Sequence, residues 1–246
     1  MSNPILRNRF IGLTVALLLG ACSSSERIAP RTTVSDAASQ ARPSDAPKME
    51  TRRETFKIAP TESTLHILVY RGGPMARLGH NHVVSSQQLE GEVWRAGGAP
   101  DSGFDIRVPV NTLIVDDEAA RQAEGADFPP GISDDAKAGT RANMLRPTLL
   151  DGERYPQIRI RSVAISGDLA APQVRAAITL KNQTREVELP VRISDSAGAL
   201  RVEGAFDIRQ SDFGITPLSI AMGALVVVDT ITIKFSLLAR PGSARQ

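Results

Sequence analysis

The chain has 246 residues, enough for one large or two small domains, and carries 29 lysines and arginines against 27 acids. The excess of two resides in Arg7 and Arg9; residues 1–21 hold no acid, so the remaining chain is formally neutral, with 27 of each. A neutral chain with 4% aromatic residues lacks the electrostatic footprint of a nucleic-acid binder, and that class is set aside.

In chain order, Arg7 and Arg9 precede residues 10–19, an uncharged stretch of ten. That is the n-region and h-region of a secretory signal, too short to span a bilayer as a helix. Leu19-Gly20-Ala21-Cys22 follows, with small residues fit for a signal peptidase cleft and a thiol able to accept a lipid. This tetrapeptide resembles the lipobox of bacterial lipoproteins. Cys22 is the single cysteine, so the reading consumes the thiol by acylation and leaves no disulfide to hold the fold. Residues 1–21 are therefore expected to be a lipoprotein signal peptide. Residues 22–52, rich in Ser, Ala, Pro, Arg and Thr, then form a lipidated, disordered tether. Ser23 stands after the lipidated position, without an Asp. By analogy with lipoproteins of enteric bacteria, this points to the periplasmic side of the outer membrane.

Residues 53–240 read as one domain and 241–246 as a loose tail. Within the domain, Leu65, Ile67 and Val69 alternate with His66, Leu68 and Tyr70, and Phe104, Ile106 and Val108 alternate with Asp105 and Arg107. The same period of two runs through Val174, Ala176, Ile178 and Leu180, then Val187, Leu189, Val191 and Ile193. It returns in Leu200, Val202, Gly204, Phe206 and Ile208, and in Ile231, Ile233, Phe235 and Leu237. Six such segments predict half-buried antiparallel strands and a mainly β domain. Turns are expected at Gly97-Gly98, Asp151-Gly152, Ser166-Gly167-Asp168 and Asp195-Ser196-Ala197-Gly198. Two short helical segments interrupt the strands, one over residues 116–124. The other follows Ser133 as N-cap, with Asp134 and Asp135 in its first turn, and stops before Pro147. The pattern fits a barrel or a sandwich equally, and a barrel of about eight strands holds side chains only or one small ligand.

Particular residues go further. Phe56-Lys57-Ile58-Ala59-Pro60 with Ser63-Thr64-Leu65, and Tyr155-Pro156-Gln157-Ile158 after Asn143-Met144-Leu145, stand in one order along the chain. Ile208-Arg209-Gln210-Ser211-Asp212-Phe213-Gly214-Ile215 and Val228-Asp229-Thr230-Ile231-Thr232-Ile233 complete that order. Over residues 54–239 the chain resembles the YceI-like family. The resemblance implies an extended, lipocalin-like antiparallel β-barrel of eight strands with short helices near one end. It also implies an exported protein that holds an isoprenoid, quinone-like or fatty-acid-derived molecule inside the barrel. Two features depart from the family: the lipobox, where many members are soluble in the periplasm, and the long connection containing Phe128-Pro129-Pro130-Gly131.

Few residues suggest other chemistry. In Leu78-Gly79-His80-Asn81-His82, residues two apart point the same way, so His80 and His82 could chelate a metal, with His66 on a neighbouring strand. The alternatives are contact with a ligand head group, or one imidazole bonded to backbone and the other in solvent; metal is not favoured. Arg209 and Asp212 bracket a bend and are read as fixing a strand corner rather than anchoring ligand. Asp116-Asp117 and Asp134-Asp135 are read as charges at helix starts. No G-x-S-x-G elbow or P-loop occurs, and no enzyme is expected.

By elimination the functional set is the inward, uncharged face: Leu65, Ile67, Val69, Phe104, Ile106, Val108, Ile178, Val202, Phe206, Ile233 and Phe235. The same residues would serve a filled core, and the family resemblance tips the expectation to a ligand cavity. The reading is a lipid-anchored periplasmic protein that sequesters or carries an amphiphilic lipid, with no cofactor beyond that ligand. Its partners are the ligand and the membrane, with a homodimer left open. The rival readings are a metal or redox role at His80 and His82, and a filled barrel acting as an interaction module.

Overall fold

The computed structural model describes residues 53–242, so the lipobox with Cys22 and the tether lie outside the described residues. Eight strands run antiparallel in chain order. Strand β1 comprises Glu54–Ile58 and Thr64–Val69, β2 His82–Ser85 and Glu90–Arg95, and β3 Gly103–Pro109 and Ile114–Val115. Unbroken strands follow: β4 (Gln157–Ser166), β5 (Gln173–Leu180), β6 (Gln183–Ser196), β7 (Ala199–Arg209) and β8 (Thr230–Pro241). Each pairs with the next, and β8 pairs with both parts of β1, through Ile58↔Ala239 and Ile67↔Ile233. The sheet is thereby closed, and the eight-stranded barrel implied by the resemblance is the fold observed. Closure gives every strand of the ring a neighbour on both sides, while the branch toward the helices ends at Ile114–Val115.

The first three strands are broken at about the same level. In β1 the break is the 3-10 turn Pro60–Glu62, where proline supplies no N–H to the ladder. The Ser63 hydroxyl patches the gap, donating to the Ala59 carbonyl at 2.8 Å and accepting from the Leu238 amide at 3.0 Å. In β2, Gly91 adopts φ 136, and a Cβ there would stand 2.2 Å from the Asp105 carbonyl oxygen, so only glycine fits.

At one end lie the short hairpin turns β2–β3, β4–β5 and β6–β7, the last through Ala197 and Gly198 with φ of 50 and 75. The chain enters and leaves the barrel at this end, where the Gly242 amide donates to the Thr55 carbonyl. Pro241, assigned from sequence to the tail, is the last residue of β8.

The opposite end carries the long β3–β4 connection, with α1 (Glu118–Glu124) and α2 (Asp134–Met144). Ser133 caps α2 by accepting from the Ala136 amide at 3.3 Å, with Asp134 and Asp135 in the first turn as expected. A small sheet of Arg71–Gly72, Leu225–Val227 and Ser219–Ile220 also lies here. Ile178, Leu180, Phe213 and Ile215 form a buried cluster with Leu149 and Leu150, which closes this end. Outside the wall, Ala120 of α1 and Phe128 in the turn after it cover Leu68 and Val83.

Candidate functional site

Toward the hairpin end the barrel is hollow. A cavity of about 340 Å³ runs along the axis between the closed cluster and the turns, within the range of small-molecule sites. Its wall is built by the period-two faces of all eight strands. Leu65, Phe104, Ile106, Val108, Val202, Phe206, Ile233 and Phe235, all expected from the sequence, line it. Phe206 and Phe235 meet edge to face at 6.3 Å. Gly204 makes room for this pair, since a Cβ there would lie 2.7 Å from the tip of the Phe235 ring.

Three expected lining residues do not face the cavity. Ile67 and Val69 lie further along β1 and pack on the core that includes Val84, Leu113 and Val115. Ile178 belongs to the cluster that closes the helical end. All three point inward as alternation requires, but at levels where the barrel is filled. The sequence set also omits much of the wall, including Val93, Ile160, Ile165, Val174, Leu189, Val191, Ile193, Leu200 and Leu237. Most of these stand on the same alternating faces, and register joins them directly: Ile160 opposes Ile106 and Ile178, and Val202 opposes Ile193 and Leu237.

The interior is not uniformly uncharged, which corrects the expectation. At the open end the rim holds Arg95 and Asp195 beside Ser102, Leu169 and Ala170. Arg95 donates from Nη1 to Asp195 at 2.8 Å and from Nη2 to Glu54 at 2.8 Å. The hydrogen bonds to Asp195 and then Glu54 hold the guanidinium pKa above its ordinary value.

The histidines lie elsewhere. His82 Nδ1 sits 2.6 Å from Oδ2 of Asp116, and His66 Nδ1 sits 2.7 Å from Oε1 of Glu124 on the outer face. His80 is exposed, its ring centroid 6.4 Å from that of His82. None of the three lines the cavity, and His66 does not join the other two. Among the described residues, no group of three metal-ligating side chains converges.

Asp116 is not the helix-start charge expected from sequence. Asp117 is the cap, accepting from the Ala120 amide at 3.0 Å. Asp116 is fully buried, accepting from the Val83 amide at 3.0 Å and from Nη1 of the equally buried Arg121. Burial works against its charge, but the His82 bond, with Val83 and Arg121, holds its carboxyl below the ordinary value. Arg209 and Asp212 pair at 2.7 Å at an exposed corner outside the cavity, where Gly214 adopts φ 70.

Curated proteins yield no match to this chain. Solved structures do. BcnA of Burkholderia cenocepacia superposes with a TM-score of 0.56 at 15% identity, covering 74% of this chain and 98% of that one. A polyisoprenoid-binding domain from Saccharophagus degradans, implicated in plant cell wall breakdown, gives 0.51 at 13% identity, covering 76% and 98%. At such identities the likeness is one of fold. The model of the YceI-like domain, however, matches residues 56–239, from the first strand of the barrel to the last, and the chain belongs to that family.

Proposed function

We propose that this protein binds an isoprenoid, quinone-like or other amphiphilic lipid, with the apolar chain in the barrel and the head at the rim. The observation that carries the reading is the cavity: apolar along its length, closed at the helical end and bordered by charge at the other. Burial of hydrocarbon is worth about 0.8 kcal/mol per CH₂, so a long chain can be held with few directed bonds. The polyisoprenoid-binding domain of similar fold lends further support. The role is binding rather than catalysis.

The lipobox at Cys22 supports a lipid anchor on the periplasmic side of the cell envelope.

The test is gentle purification of the full chain from a bacterium, organic extraction and mass spectrometry. Near-stoichiometric lipid is expected, and a folded preparation that yields none overturns the reading.

A further inference from the structure

Residues two apart on a strand share a face, and three inward faces turn charged at the same end of the barrel. Phe56 is followed outward by Glu54, Val93 by Arg95, and Ile193 by Asp195. Register confirms the orientation, because Arg95 opposes Glu54 while Asp195 opposes Leu200, a cavity residue. Strands β2 and β6 stand four positions apart in a ring of eight, so the contact between Arg95 and Asp195 crosses the mouth.

One guanidinium therefore serves two carboxylates. Nε and Nη2 of Arg95 donate to Glu54 at 3.2 and 2.8 Å, and Nη1 donates to Asp195 at 2.8 Å. Arg95 also lies 5.5 Å from the Phe56 ring centre, which helps fix its position. Asp168, in the turn whose Leu169 and Ala170 border the same opening, accepts from the Ala170 amide at 2.8 Å and is not itself a lining residue. The nearby Arg53 stacks on Trp94 at 4.2 Å and is not among the lining residues.

We propose that Glu54, Arg95 and Asp195 select for amphiphiles with an uncharged head and against those ending in a carboxylate or phosphate. An anionic head could reach the remaining N–H groups of Arg95 only beside two carboxylates that already balance its charge, and such like-charge contacts are penalised. A neutral carbonyl or hydroxyl meets no such opposition. A guanidinium has five N–H groups, and those not engaged by Glu54 and Asp195 can bond it while the ion pairs stay intact.

This inference rests on the lipid-binding reading, and its test separates the two. Delipidated protein is titrated at neutral pH and low salt with palmitic acid and with methyl palmitate, which share a chain and differ in head charge. The wild type is expected to prefer the ester by about tenfold or more. Asp195→Asn should narrow the ratio, and Glu54→Gln with Asp195→Asn should reverse it, because the rim then carries Arg95 uncompensated. Both acids are substantially exposed, and matching thermal melts will show that the variants fold. Equal or tighter binding of the acid by the wild type, or a ratio unmoved in the double variant, overturns the selection while leaving lipid binding intact. Binding of neither probe, with no lipid extracted, removes both.

Discussion

Asp116 adopts φ 57 while fully buried, a backbone region that costs most residues energy and that aspartate tolerates better than most. Its own amide donates to the Val83 carbonyl at 2.8 Å while its side chain accepts from the Val83 amide, so the strained residue is clamped from both sides. Arg121, fully buried, also donates to the carbonyls of Asn81 and Pro129. Asp116→Ala would leave that guanidinium uncompensated and is expected to cost about 3–5 kcal/mol in urea denaturation. The pH dependence has a definite sign. Asp116 and Glu124 are both held below their ordinary values of 3.8 and 4.5; burial opposes this in each, outweighed by His82 for Asp116 and by Lys234 and His66 for Glu124. Their contribution is complete above those ordinary values and is lost as pH falls through the depressed ones. Melting temperature should therefore drop below about pH 4, and the drop should be shallower in Asp116→Asn. None of this was legible in the sequence, where two adjacent acids before a helix look like capping alone. Two of its partners, His82 and Val83, lie some 35 positions upstream.

Strands were the most legible elements, because alternation is written locally. The exceptions have physical causes. Leu68 and Val83 sit on the outer face yet are 2% and 0% exposed, since α1 and the turn after it cover them. An apolar residue on the polar side of an alternating strand thus marks a wall that something packs against. Leu68→Ala should cost about 2–5 kcal/mol and Asp117→Ala, which removes the α1 cap, about 1 kcal/mol. Both are measurable by chemical denaturation, with no change in lipid content. The β5–β6 turn through Lys181 and Asn182, with φ of 48 and 61, lacks a glycine and carries no strong turn signal. The breaks in β1, β2 and β3 were illegible for another reason. Each falls at the level where the closed ring gives way to the separate branch of Thr64–Val69, His82–Ser85 and Ile114–Val115, a property of the pairing and not of local sequence.

At the scale of the whole barrel, alternation separates inside from outside but says nothing of depth. Val202 and Ile178 occupy equivalent phases on their strands, yet one faces the cavity and the other the plug built by Phe213 and Ile215. Depth is set by register and by a segment thirty or more residues away, so hollow and filled levels look alike in sequence. The distinction can be measured. Val202→Trp should occupy the hollow and abolish co-purified lipid, with the melting temperature lowered only modestly by overpacking. Ile178→Ala should do the reverse, costing about 2–5 kcal/mol while lipid content stays near that of the wild type.

The seam between β1 and β8 brings Thr55 and Gly242 together at the open end, so anything fused to either terminus of the domain emerges beside the opening. A fluorophore attached there would sense a guest passing, and a bulky tag would stand in its way. Attachments meant to be silent belong at Asn182, in the turn at the far end of the barrel, where the side chain is exposed.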